Sequence, residues 1–512
     1  MTDGTHGESR GPSAGAPPPG RGPAARPPRR VPPVGGAAPA GEAAPVGREA
    51  RRWPWGSVDR VAVWVWAGLI VAGFAAGAVL HGAGMLAIDH LPPLHGHFRV
   101  PTVGLLPAAA FGALAVALLP RLTGRLGFGA ASIVAYGCAL GWTVLLAVSG
   151  DALAAPFTHP QEYLAVLPAV GDDPLGWLAT FTGRLPEYPT HVRGHPPLPV
   201  LVVWALAAAG APGPVWAALL VIAVGCSAAV AIGLTVRRLA GEETARRALP
   251  YLALTPASVW IATSMDAFFA GAGAWGVALL VTGRRPVTRV VSCGAAGVLL
   301  GALPYLSYGL VPYLLIPVVV AVAVRPPLPA VCAALAGAAA VTAAFAAAGF
   351  WWPDGVAATH AEWAADPGAA RPYLYFVAAN LAVLALLTGP ATAAGLGRAW
   401  RGHAPPQLRG GRGRPWRHHS PSLTAHERPG PRRTGTRSGG PVASGVTLPV
   451  AAALIAVVVL DVSGVTRGEV ERIWVPYALW VTAAAALVPG RRALAAHAVT
   501  GLLLQGLVLS PW

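Results

Sequence analysis

A few polar side chains of this sequence stand where polar side chains are scarce. His191 and His195 lie four residues apart. Asp266 follows Ser264 at the head of an apolar run, and Arg467 and Arg472 bracket Glu469 and Glu471 just before another. Glu162 and Asp151 occupy the segment that leads to the histidines. Carboxylates and imidazoles can exchange protons with a bound group. An arginine can grip a phosphate at two points. Two histidines at this spacing would share a helix face and could ligate a metal, but Gly194 and Pro196-Pro197 favour a loop. In a loop, His195 would hydrogen-bond locally or contact a bound molecule. An ionisable residue at the depth of Asp266 is a functional candidate by default.

These residues must be positioned by elements of a particular kind. The chain has 512 residues, 54% hydrophobic and only 11% charged. A soluble domain carries about 25% charged residues, so this chain cannot cover a water-facing surface. An ordinary soluble enzyme, a nucleic-acid-binding domain and a disordered scaffold are excluded. What remains is an all-α polytopic membrane protein. Apolar runs long enough to cross about 30 Å of hydrocarbon are expected at 61–83, 103–120, 128–149, 213–236, 248–264, 266–283, 290–305, 307–324, 328–350, 373–391, 444–462, 474–489 and 492–510, about thirteen in all. Cys138, Cys226, Cys293 and Cys332 fall inside such runs and read as small core residues.

The net charge of +16 comes from arginine alone, since the chain has no lysine. Its distribution sets the expected orientation. The tail 1–60, rich in Pro, Gly, Ala and Arg, reads as disordered and cytoplasmic. With it inside, Arg121, Arg125, Arg237, Arg238, Arg246, Arg247, Arg284, Arg285, Arg289, Arg325, Arg491 and Arg492 also fall inside. The outer segments keep few arginines, which is the positive-inside pattern. The assignment places the protein in the plasma membrane, with its C-terminus outside. It holds only if 196–211 lies on or dips into the outer leaflet without crossing. The expected organisation is a tail 1–60, a membrane core 61–391 with an external loop 150–211, a disordered basic loop 392–443, and a membrane block 444–512.

The external face collects the carboxylates and seven of the fourteen histidines: His90, His95, His97, His159, His191, His195 and His360. Its longest ordered segment is 150–195. Pro160-Gln161-Glu162-Tyr163-Leu164 is expected to open one short helix, with Leu164, Leu167 and Val170 on one side. Pro174-Leu175-Gly176-Trp177-Leu178 opens a second, capped by Asp172-Asp173. Trp177 and Phe181 suit a helix lying in the interface. The segment closes on His195-Pro196-Pro197-Leu198.

The order of Glu162-Tyr163, two amphipathic helices, His195-Pro196-Pro197-Leu198 and a short apolar helix resembles the first external loop of GT-C fold glycosyltransferases. That superfamily includes protein mannosyltransferases, aminoarabinose transferases and actinobacterial relatives that use polyprenyl-phosphate sugars. Arg237-Arg238 after the next span and Pro256-Ala257-Ser258 before Asp266 follow the same order. Arg467 to Trp474 resembles a segment of uncharacterised actinobacterial membrane proteins of this kind. The resemblance covers 128–325 well and 444–490 loosely.

The resemblance implies transfer of a mannose- or arabinose-like sugar, with inversion, from a polyprenyl-phosphate donor to a lipid or glycan acceptor of the cell envelope. It implies Glu162 as the base, with Asp151 as the alternative, because the family's acidic pair here reads Gln161-Glu162. Arg472, Arg467 and Arg193 are candidates for the donor phosphate. His191, His195, Asp266 and Tyr308 are further substrate-binding candidates, and Tyr305, Tyr308 and Tyr313 could instead form an aromatic belt. No cofactor is required by the pattern, and a divalent cation is an open alternative. No nucleic-acid partner is expected; the bilayer is. Two rival readings stand beside this one: a transporter or lipid flippase, and a catalytically silent relative of the same fold.

Overall fold

The computed structural model describes residues 57–510, except 87, 89, 90, 404–439 and 489. Nearly all of the expected tail, most of the expected basic loop, and Asp89 and His90 therefore lie outside the described residues. The rest is helical. Eight helices among the described residues are long and apolar enough to cross a membrane.

The first is α1 (Ser57–Gly82), followed by a two-residue strand, β1 (His97–Phe98). Then come α2 (Leu106–Arg125) and α3 (Phe128–Val148). Three short helices follow in the long loop: α4 (Leu167–Val170), α5 (Pro174–Thr180) and α6 (Thr190–Arg193). Helix α7 (Leu198–Ala208) has 11 residues, or about 16 Å at 1.5 Å per residue, too short to span. Its Trp204 Nε1 donates to Gly171 O at 2.9 Å, which ties it to the loop. The chain then crosses as α8 (Pro214–Ala240) and continues through α9 (Glu242–Ala253), α10 (Ser258–Ile261) and α11 (Asp266–Thr282). Helices α12 (Pro286–Leu306), α13 (Leu315–Val324), α14 (Leu328–Ala347) and α15 (Trp352–Ala365) come next. The last elements are α16 (Tyr373–His403), α17 (Gly440–Val462), α18 (Val470–Ile473), α19 (Val475–Thr482) and α20 (Arg491–Leu507), and then β2 (Val508–Leu509). Strands β1 and β2 pair antiparallel, His97 opposite Leu509 and Phe98 opposite Val508.

The eight long helices are α1, α2 with its leading turn, α3, α8, α12, α14, α16 and α17. The other five expected runs are shorter or broken here. The run 248–264 is the second half of α9, a break, and α10. The break has a cause: the residue before a proline is disfavoured in helix, and Pro256 follows Thr255. Helix α16 breaks in the same neighbourhood, at Gly389 (φ 73°, ψ 169°), just before Pro390. The first break is tied to the second and to α3. Ala257 N donates to Leu387 O at 3.1 Å, and Trp142 Nε1 donates to Thr255 O at 3.4 Å. Such internal pairing is what non-helical backbone needs at membrane depth.

Two expected boundaries shift. Helix α16 runs on to His403, so the described start of the expected loop 392–443 is helix, and α17 already begins at Gly440. The extension is held by Arg398, whose Nε and Nη2 grip Asp59 of α1 at 2.8 and 2.6 Å while Nη1 donates to Leu487 O at 2.8 Å. Packing elsewhere uses small residues. A Cβ on Gly297 of α12 would lie 1.9 Å from Ala334 O of α14, and one on Gly337 2.4 Å from Gly294 O. Small residues let membrane helices approach this closely, where packing replaces the hydrophobic drive.

Candidate functional site

The loop between α3 and α7 folds inward on its own aromatic residues. Pro174 opens α5 and the Asp173 carboxylate accepts from Gly176 N at 2.9 Å, the expected cap. Trp177 and Phe181 do not lie on an outer face, as their amphipathic spacing suggested. Both are buried, their rings 5.1 Å apart, with Tyr188 stacked on Phe181 at 5.3 Å and Phe350 at 5.9 Å. The first short helix starts at Tyr163 rather than Pro160, as a 3-10 turn leading into α4, so Tyr163, Val166 and Val170 face inward.

Glu162 stands just ahead of that turn in extended backbone (φ −86°, ψ 164°), which swings its side chain into the protein. It is 5% exposed. Its Oε1 lies 2.7 Å from His191 Nδ1, and both side chains are buried. Gln161, the residue before Glu162, has a different task. Its side-chain oxygen accepts from Thr190 N at 2.8 Å and its carbonyl from His191 N at 3.3 Å. Gln161 thus clamps the start of α6 beside Glu162.

His195 follows α6 in a turn. Its Nδ1 is 2.8 Å from His191 O, so Nδ1 carries the proton and donates. Burial, aided by Arg472 and opposed by Asp266, pushes the imidazole down to about 4, so it is neutral at ordinary pH. Nε2 is then an acceptor. The Tyr163 ring meets His195 edge-on at 5.8 Å and lies 6.3 Å from His191. Burial, then the charges of Asp266 and Glu162, push the Tyr163 hydroxyl well above its ordinary range.

Asp266 opens α11 and is buried. Its Oδ2 accepts from Ser264 Oγ at 2.9 Å and lies 4.0 Å from Arg472 Nη1. Arg472 belongs to α18, more than 200 residues away in the chain. Burial acts to lower its pKa, but Asp266, Tyr163, Glu162 and Glu469 outweigh burial and raise it. Glu162, Tyr163, His191, Asp266 and Arg472, all buried, and the half-buried His195 therefore form one electrostatic cluster, drawn from the loop, α6, α11 and α18.

The loop carrying Arg472 is tightly wound. Gly464, Gly468 and Glu469 have φ of 74°, 93° and 60°. Left-handed backbone is costly for a glutamate, and ion pairs hold it there. Arg371 Nη1 reaches Glu469 Oε1 at 3.3 Å and Arg467 O at 2.9 Å. Burial would raise the Glu469 carboxyl, but the charges of His95, Arg472 and Arg371 hold it low. Asn380 of α16, fully buried, donates Nδ2 to Asp461 Oδ1 at 2.8 Å and to Thr466 O at 2.9 Å, while Trp474 Nε1 donates to Asn380 O at 3.2 Å. Glu471 is fully buried and its Oε1 accepts from His95 N at 3.2 Å.

The other candidates lie apart from this cluster. Asp151 is exposed, and its Oδ1 accepts from Ala152 N at 2.7 Å. Arg193 pairs with Glu362 of α15 at 3.2 Å, bracing the loop. The Arg467 guanidinium is taken by the carbonyls of Gly464, Arg371 and Ala369 and lies over the rings of Trp363 and Tyr373. That environment suits a structural cation better than a phosphate ligand. Tyr308 packs against Trp352 at 5.8 Å, and Tyr305 stacks on Phe345 at 4.2 Å. Tyr313 is fully buried and accepts from Trp480 Nε1 at 2.7 Å, so an exposed aromatic belt does not describe it. Beside them an apolar cavity of about 530 Å³ opens between α12, α14 and α15, walled by Leu300, Tyr305, Thr342, Trp351 and Trp352.

Among the described residues, no group of three or more His, Cys, Asp or Glu is placed to hold a metal ion. Sequence reasoning did not single out Asn380, Tyr163 or the His95–Glu471 contact as site features. The signal for Asn380 was a lone amide in an apolar run. The signal for Tyr163 was its place beside Glu162. Comparison with known proteins finds no matching family model, no similar curated protein and no similar solved structure.

Proposed function

We propose that this protein is a membrane glycosyltransferase of GT-C type, moving a sugar from a polyprenyl-phosphate donor to a cell-envelope acceptor at the outer face. One observation carries the reading. Five polar residues singled out from sequence, Glu162, His191, His195, Asp266 and Arg472, converge in one cluster at the ends of membrane helices. A transporter would instead spread its charges along the bilayer midplane.

In this reading Arg472 receives the donor phosphate, and Asp266 offsets its buried charge and orients it until the donor arrives. Glu162 takes the proton of the acceptor hydroxyl as that oxygen bonds to the anomeric carbon. The bond from that carbon to the phosphate breaks on the opposite side, which inverts the centre. The electron pair leaves with polyprenyl phosphate, and the Arg472 guanidinium offsets its charge. His191 orients Glu162, and the neutral Nε2 of His195 accepts from a sugar hydroxyl. The apolar cavity beside Tyr305 and Trp352 suits the prenyl tail.

The test is transfer from radiolabelled polyprenyl-phosphate sugars by protein in lipid, with membrane extract as acceptor and with or without chelator. Glu162→Gln keeps expression and membrane insertion and loses transfer. Full activity in that variant would remove Glu162 as the base.

A second reading has its own support. The facing breaks in α9–α10 and α16 resemble the interrupted helices of transporters and flippases. Movement of a labelled lipid between leaflets without any sugar transfer would favour that reading.

A further inference from the structure

At the end of the helices opposite the cluster, α2, α9 and α20 enclose a second cavity, of about 410 Å³. Arg246 and Arg247 of α9 and Arg491 of α20 line it, with Gly124 at the end of α2 and Leu494 and Pro250 as apolar walls. Glu243 is the one acid among its walls. The Arg246 pair is a shared one, since Glu242 is bound by both Arg237 and Arg246. The Arg247–Glu243 pair is largely solvent-exposed, and such i,i+4 pairs are weak. Arg491 spends one Nη atom on Ala117 O. A guanidinium has five donors, so these contacts leave donors for an anion. Three lining arginines against one lining glutamate give the pocket a surplus of positive charge.

We infer that this pocket binds the phosphodiester headgroup of an anionic glycerophospholipid. The charge asks for an anion, and the surroundings ask for a lipid. The cavity sits where the apolar α2 ends, at headgroup level for a spanning helix. Pro120, one turn before Gly124 on α2 and so deeper along the helix, and Leu494 of α20 continue its apolar wall toward the hydrocarbon. Basic pockets between membrane helices hold anionic headgroups in this way. The inference does not rest on the transfer chemistry, which belongs to the other end of the molecule.

The experiment is native mass spectrometry of the full-length protein in detergent, titrated with phosphatidylglycerol or with phosphatidylcholine of the same chains. Two surplus positive charges at the surface correspond to a preference of about 30-fold for phosphatidylglycerol. Arg246→Gln with Arg491→Gln removes most of that preference. Gly124→Trp removes it with every charge intact. A Cβ there meets nothing within 4 Å, so the indole enters the cavity without displacing the backbone. Arg284→Gln with Arg285→Gln, an exposed pair outside the pocket, leaves the preference unchanged. Equal loss in that control would reduce the effect to diffuse surface charge and overturn the site. Displacement of phosphatidylglycerol by excess inorganic phosphate would overturn the lipid assignment in favour of a soluble anion. Retention of the preference in Gly124→Trp would overturn the pocket.

Discussion

Arg472 and Asp266 are buried together, and neither charge is neutral in its effect on folding. Removing one partner of a buried pair leaves the other uncompensated, typically at about 3–5 kcal/mol. Arg472→Ala should therefore lower the thermal midpoint in detergent clearly, and Asp266→Asn added to it should recover part of the loss. No recovery would mean that the 4.0 Å approach is not an energetic pair. Glu162→Gln should behave differently: the isosteric amide oxygen still accepts from His191 Nδ1, so the midpoint changes little while transfer falls by about 10²–10⁴-fold, the usual weight of a general base. His195 gives a pH signature. Its folded pKa lies near 4, below the ordinary 6.5, so between those values the unfolded chain binds more protons. Stability from this group is present above pH 6.5 and is lost as pH falls toward 4. His195→Gln should flatten that part of the stability profile, and an unchanged slope would count against its burial as a neutral ring. At this scale the sequence marks polar side chains in apolar surroundings but not which of them meet. Arg472 and Asp266 announce themselves as charges at the heads of apolar runs. That they meet, and that Arg467 instead disappears into carbonyls, depends on how the 464–469 loop winds.

The loop that delivers Arg472 is held by α16, and Asn380 is the peg. Its amide bonds both Asp461 at the end of α17 and Thr466 in the loop. Asn380→Leu strands a buried carboxylate and a carbonyl, which should cost about 1–3 kcal/mol. It should also raise KM for the donor more than Glu162→Gln does, because it releases the loop bearing Arg472 while leaving the base in place. A melting curve and donor titration check both, and an unchanged KM would make Asn380 purely structural. Helices were the most legible elements, since eight apolar runs need no partner to declare themselves. The breaks were less so. Residues 248–264 read as one continuous apolar run, yet Pro256 divides it, because Leu387 O across the interface is there to receive Ala257 N. Helix α16 also runs past the expected core boundary at 391, to His403. Arg398, inside the expected loop 392–443, finds its partner on α1 in Asp59, some 340 residues earlier.

Across the whole molecule, charge is sorted by end. Contacts join Arg237 to Phe128, Arg246 to Gly124 and Arg491 to Ala117 at one end of the helices. Glu162, Asp266 and Arg472 gather at the other. A helix such as α3, with 21 residues, separates the two by about 30 Å, the thickness of a hydrocarbon core. That polarity was legible in the sequence through the spacing of arginines alone. The cavities were not, because their walls come from helices far apart in the chain. The proposed transfer site lies at one end of the helices and the proposed lipid contact at the other. The most direct measurement of the first is sugar transfer from radiolabelled polyprenyl-phosphate donors, comparing the wild-type protein with Glu162→Gln, both inserted in lipid and equally folded. The wild-type protein should transfer the sugar and Glu162→Gln should lose about 10²-fold or more. Donor lipid bound by both proteins, with transfer by neither, would contradict the proposed transfer.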